Sequence, residues 1–119
     1  MNQELVLDNT LQSAKNLAWW LYIAHAASLI FSLGLFSFIP LIINYVKRED
    51  AANTFVYSHH GWQIRSFWWY LVWMTLGGIL FLTIFGIPAA FLVWALAWLW
   101  KLYREIKGIV DLNDNKTMP

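Results

Sequence analysis

The chain has 119 residues, enough for one domain, and 60% of them are apolar, 18% aromatic and only 13% charged. An ordinary water-soluble domain is roughly 45–50% apolar and about 25% charged, so this composition speaks against a soluble enzyme and equally against disorder. A net charge of +1 and a pI near 8.0 give no reason to expect a nucleic-acid partner, and the lack of Cys removes disulfides, thiolate metal sites and a Cys nucleophile.

Residues 1–16 carry Glu4 and Asp8 ahead of Lys15. That is not the basic start of a signal peptide, so the segment reads as a cytoplasmic N-terminal stretch. Next comes a run without Asp, Glu, Lys or Arg, from Leu17 to Val46, 30 residues long. As one helix it would measure about 45 Å, against a hydrocarbon core of about 30 Å. Gly34 and Pro40 interrupt it, and a Gly followed closely by Pro marks a helix end and a new helix start. The expectation is a helical hairpin of 17–33 with 38–52, its second arm short or re-entrant. The competing arrangement is one long helix kinked at Pro40. Within the first arm, Ala24, Ser28 and Ser32 recur every four residues, a small-residue stripe suited to close helix packing. His25 is the one ionisable group inside the run and hence a functional candidate.

The 47–65 linker predicts an interfacial amphipathic helix over 53–65 that runs into the next segment. Phe55, Trp62 and Trp69 share its apolar side. His59, Gln63, Ser66 and Tyr70, at steps of four, three and four, share the polar side. Arg65 and Trp69 are four apart and could form a cation–π pair. A candidate polar or interaction site therefore comprises His25, His59, Gln63, Arg65, Ser66 and Tyr70.

The second charge-free run, Ser66 to Trp100, has 35 residues and breaks at Gly86 and Pro88. It predicts a second hairpin, 66–84 with 88–107, followed by a tail over 108–119. In the double-hairpin arrangement all eight Lys and Arg fall on one side, which the positive-inside rule assigns to the cytoplasm together with both termini. Trp and Tyr gather towards that side and Phe towards the other, as an aromatic belt would, or a Trp-lined docking surface.

The chain has no His-Glu-x-x-His, no Gly-x-Ser-x-Gly and no acid within the charge-free runs. The expectation is therefore no enzyme, no metal and no resident cofactor. His25, His59 and His60 leave a haem or quinone protein as a third reading.

The stretch Ser58-His59-His60-Gly61-Trp62-Gln63-Ile64-Arg65-Ser66-Phe67-Trp68-Trp69, with Trp100-Lys101-Leu102-Tyr103-Arg104, Gly108 and Leu112-Asn113-Asp114-Asn115-Lys116, resembles a family of small proteobacterial inner-membrane proteins built on a domain of unknown function. His25 and Ile39-Pro40-Leu41 belong to the same likeness, which spans about residues 17–116. That family is grouped with the four-helix proteins similar to the chloroplast inner-envelope (Tic-type) import component. In its pattern an aromatic and a basic residue follow the Ser-His pair, where this chain has His60 and Gly61. The resemblance implies four helices in an inner membrane and supplies no reaction.

The sequence thus predicts a multi-pass bacterial inner-membrane protein, all-α with four membrane segments. Its expected role is a non-enzymatic accessory or scaffold that binds other membrane proteins or lipids. The alternative is a transport or channel component acting as an oligomer. Expected partners are the lipid bilayer and a membrane-protein partner or further copies of the chain.

Overall fold

A computed structural model describes the backbone of residues 2–119 and the side chains of residues 10–119. The described chain is all-helical. Helix α1 spans Asn2–Ser32, α2 Phe38–Lys47, α3 Phe55–Phe81 and α4 Ile87–Asn113, with short 3-10 turns at Leu35–Ser37 and Arg48–Ala51. They form a rod about 67 Å long and 23 Å across.

Each boundary has a local cause. Helix α1 ends where Leu33 and Gly34 take left-handed backbone angles, φ +57° and +94°. The Gly34 N–H then reaches back to the Ser28 carbonyl at 3.0 Å, which closes the last turn. Gly34 tolerates that angle because it has no Cβ. Pro40 sits in the first turn of α2, where a missing N–H has no cost. The chain therefore reverses at 33–37 and is not one helix kinked at Pro40. Thr54 caps α3 by accepting from the Val56 N–H at 3.2 Å. From Phe55 the helix runs unbroken to Phe81, so the amphipathic 55–65 segment and the first arm of the second hairpin are one element. Pro88 lies in the first turn of α4 behind Gly86.

The membrane reading needs correction. Among the described residues no helix is long and apolar enough to cross a membrane. A run without charge is not the same as an apolar run. The charge-free part of α1 contains Trp19, Trp20, Tyr22, His25, Ser28 and Ser32, and α2 has only ten residues. The first half of α3 carries Ser58, His59, His60, Gln63, Arg65 and Ser66, and the second half of α4 carries Lys101, Arg104, Glu105 and Lys107. Transmembrane segments, an inner-membrane location and a cytoplasmic placement of both termini fall with this finding, as does the positive-inside argument.

Several Trp side chains tie helices together where a belt was expected. Trp62 Nε1 donates to the Arg104 carbonyl at 3.0 Å, Trp94 to Met74 at 3.1 Å and Trp98 to Leu29 at 3.0 Å. Trp68 donates to the Tyr45 hydroxyl at 2.8 Å. These bonds give buried Trp62 and half-buried Trp94 and Trp98 their polar partners and set the register of α4 against α1 and α3. Tyr70 donates to the Leu33 carbonyl at 2.8 Å, which marks the height where α1 stops. Helix α3 continues for eleven residues past Tyr70, about 16 Å. There it packs on α4 through Phe81, Phe91 and Trp94, with centroid separations of 5.7–6.2 Å.

Candidate functional site

The chemistry-bearing side chains converge in the middle of the rod, around one face of α1. Helix α1 supplies Tyr22 and His25. The 3-10 turn before α2 supplies Ser37, α2 supplies Asn44, α3 supplies His59, His60, Gln63 and Ser66, and α4 supplies Lys101, Arg104 and Glu105. All but Arg104 are buried.

Asn44 is the hub. Its carbonyl oxygen lies 2.9 Å from His25 Nε2, and its amide nitrogen lies 2.9 Å from His60 Nδ1 and 2.8 Å from Gln63 Oε1. His25 Nδ1 lies 2.8 Å from Ser37 Oγ. Gln63 Nε2 donates to the Ala18 carbonyl at 3.2 Å. That carbonyl can only accept, so it fixes the direction of the whole chain. Gln63 must give its NH2 to Ala18 and accept from Asn44 with its oxygen. Asn44 then presents its NH2 to both Gln63 and His60, and its oxygen takes the proton of His25 Nε2. His25 Nδ1 is left bare and accepts from the Ser37 hydroxyl. Each proton in the chain is assigned by the last acceptor.

A second chain lies alongside. His59 Nε2 donates to the Lys116 carbonyl at 2.6 Å, so His59 Nδ1 is bare and accepts from the Tyr22 hydroxyl at 2.7 Å. The C-terminal tail is held against α3 by more than this contact. The Met118 N–H donates to Ser58 Oγ at 2.9 Å, Arg65 donates to the Pro119 carbonyl, and the Met118 side chain is buried with Tyr22, Val56, Trp62 and Leu112. Tyr22 also lies against Gly108, where a Cβ would collide with the phenol ring.

All three histidines are neutral at physiological pH. Burial, reinforced by the Lys101 charge, pushes His25 down to about 3. Burial, with His59 and Arg48 nearby, pushes His60 down to about 4. Burial also lowers His59. Burial, followed by the Glu105 charge, raises the Tyr22 hydroxyl.

Lys101 and Glu105 form an ion pair at 2.5 Å with both side chains almost wholly enclosed. Glu105 Oε2 has no hydrogen-bond partner among the described residues, and burial pushes the carboxyl above its ordinary range. Arg104 instead lies 3.5 Å over the Trp62 ring and donates from Nε to Ser66 Oγ at 2.5 Å.

Of the six residues singled out in the sequence, His25 and Gln63 share the Asn44 hub and His59 belongs to the neighbouring chain. Ser66 joins α3 to α4 through Arg104. Tyr70 lies further along α3 on Leu33, and Arg65 is exposed at the tail. The cation–π contacts described are Arg104 on Trp62 and Trp100, and Arg48 on Tyr57, not Arg65 on Trp69. The Ala24–Ser28–Ser32 stripe is not one packing face. Ala24 is exposed, and the Ser32 hydroxyl donates to its own helix at the Ser28 carbonyl, 2.8 Å away. Sequence reasoning missed Asn44, Ser37, Lys101 and Glu105. The buried acid Glu105 lies in α4, five residues beyond the end of the charge-free run at Trp100.

Ser37, His25 and Asn44 have the connectivity of a hydroxyl–imidazole–amide triad, but Ser37 is 1% exposed, which closes its hydroxyl to a substrate. Both ring nitrogens of His25 and of His59 are engaged within the protein, so an axial bond to haem iron would break existing hydrogen bonds. Among the described residues no group of three His, Cys, Asp or Glu is placed to hold a metal ion. No family model, curated protein or solved structure matches the chain.

Proposed function

We propose that the protein is a non-enzymatic accessory or scaffold protein that works by binding, with its exposed apolar surface as the contact and lipids or partner proteins, further copies of itself included, as what it binds. One observation carries this reading: the tip of the rod is uncovered. Phe85 is 97% exposed, Leu82 85% and Ile84 84%, and Phe31, at the level where α1 ends, is 88% exposed. The protein exposes 7614 Å². A monomer of 14.0 kDa exposes about 6,700 Å² by ordinary scaling. An elongated rod exposes more than a compact body of the same mass, and large apolar side chains are prominent in what this one exposes. Contiguous apolar surface of this kind marks an interaction site.

The polar groups argue in the same direction. Most of them satisfy one another inside the rod, which serves to specify the packing of four helices and leaves the outer surface for contact. Two measurements test the proposal: light scattering coupled to size exclusion, and flotation with phospholipid vesicles. The expected outcome is a defined oligomer or co-flotation with vesicles. A monodisperse monomer that neither self-associates nor floats would end it.

A further inference from the structure

Two arginine heads meet over one glycine. Helix α3 carries Tyr57, Gly61 and Arg65 four residues apart, so the three form one row along its surface. A long helical side chain lies back over the turn before it, which brings Arg65 onto position 61. There a Cβ would stand 3.1 Å from Arg65 Nη1 and 4.0 Å from Arg48 Nη2. Arg48 comes from the turn after α2, with its guanidinium carbon 4.8 Å over the Tyr57 ring. Both heads therefore crowd the same point on the helix, close enough for a single oxyanion to touch both.

Like charges this close call for a counter-charge, and the described residues supply none. Their ion pairs are Lys47–Asp50, Lys101–Glu105 and Lys107–Asp111, and neither arginine takes part in one. Arg65 Nη2 donates to the Pro119 carbonyl, which holds the side chain in place and leaves Nη1 over. Arg48 Nε is buried without a hydrogen-bond partner among the described residues. A third cation is near: burial, followed by the Arg65 charge, lowers Arg104.

We propose that Arg48 and Arg65 bind a phosphate monoester between them, with Arg48 Nη2 and Arg65 Nη1 as donors. Two guanidinium charges match the nearly two negative charges of that group, and its three terminal oxygens suffice for both heads. A carboxylate brings one charge and two oxygens. Tyr45 and Trp68, each one turn from an arginine of the pair, are bonded to each other at 2.8 Å and half exposed. Amphipathic rings beside a cationic site suit a lipid headgroup, with the phosphate at the arginines and the rings at the interface. The site goes beyond the contact surface proposed above, since Gly61 lies about 30 Å along α3 from Phe81 at the tip.

The full-length protein with 15N-labelled arginine provides the test. The side-chain signals of Arg48 and Arg65 are followed while inorganic phosphate, glycerol phosphate or acetate is added at constant pH and ionic strength. Flotation is measured with phosphatidylcholine vesicles with and without phosphatidic acid. A saturable shift at both arginines is expected with either phosphate, and at least about tenfold weaker binding of acetate. Arg48→Gln and Arg65→Gln should each weaken binding about tenfold or more, and Arg65 is exposed, so its loss leaves the core intact. Lys107→Gln removes the same charge from α4 and should change affinity by no more than about twofold. Flotation that rises with phosphatidic acid and loses that rise in Arg65→Gln assigns a lipid headgroup. Saturable binding of the soluble phosphates, with flotation unchanged in Arg65→Gln, assigns a soluble phosphate. Phe85→Ser should leave phosphate affinity unchanged, so this site and the tip can fail separately. The proposal is overturned by acetate binding as tightly as phosphate, by a loss in Lys107→Gln as large as in Arg65→Gln, or by neither a saturable arginine shift nor a rise in flotation with phosphatidic acid.

Discussion

The middle of the rod and its tip are built from the same four-helix chain on opposite terms. In the middle, buried polar side chains face inward and nearly every one has a partner, from Ser37 through His25, Asn44 and Gln63 to the Ala18 carbonyl. At the tip, α3 and α4 share a small aromatic cluster, and Leu82, Ile84 and Phe85 face outward with nothing over them. The difference separates two jobs. Directional bonds in the middle permit one packing of the helices, because a slip of any helix would strand several buried groups. The tip makes no such demand and holds the surface free for contact.

Acid should break the middle first, and with the largest effect. His25 and His60 have folded values of about 3 and about 4 against an ordinary 6.5, so the unfolded chain takes up protons before the folded one. Stability is therefore full above pH 6.5 and falls as pH drops. The His60 contribution is lost by about pH 4 and that of His25 by about pH 3. Each costs about 1.4 kcal/mol per pH unit, or about 5 kcal/mol for both by pH 4.5. Glu105 acts with the opposite sign, since its raised value means that the folded state binds that proton first. Urea unfolding at pH 7, 5.5 and 4.5 should show the loss. A flat profile over that range would show that these histidines are not buried as described.

Removing the hub comes next. Asn44→Leu takes one buried hydrogen bond from each of His25, His60 and Gln63 at once and should cost roughly 3–5 kcal/mol in equilibrium unfolding. The buried ion pair should behave differently. Lys101→Met alone strands Glu105 and should cost about 3 kcal/mol, whereas Lys101→Met with Glu105→Leu should be neutral or more stable than the parent. A double variant as unstable as the single one would give the pair a positive role in stability. At the small end, Ser28→Ala should change stability by less than about 0.5 kcal/mol, because Ser28 shares its only described side-chain bond with Ser32, whose hydroxyl already has the Ser28 carbonyl.

How much of this could be read from the sequence depended on whether the signal was local. The turns could: Gly34, Pro40, Gly86 and Pro88 act through their own backbone, and the helix boundaries lie beside them. The spacing of His59, Gln63, Ser66 and Tyr70 placed them on one side of α3, and His59, Gln63 and Ser66 point into the rod. Asn44 could not be found this way, since an amide between Ile43 and Tyr45 in an apolar stretch carries no periodic mark. Lys101 and Glu105 read as ordinary charges at a helix end, because only the packing of other helices against α4 encloses them. The docking of 116–118 onto Ser58 and His59 joins residues nearly sixty positions apart. The membrane expectation failed for a related reason: it counted missing charges, while the hydroxyl, imidazole and indole groups that hold the helices together lower the apolarity of every helix.

The separation of a fixed middle from a binding tip is tested most directly by Leu82→Ser, Ile84→Ser and Phe85→Ser combined in one chain. These side chains lie in the exposed turn between α3 and α4 and have no part in the polar network. Self-association and vesicle flotation, followed beside thermal unfolding, should show binding lost and the melting temperature within a few degrees of the parent. Undiminished binding by a folded triple variant would contradict the account.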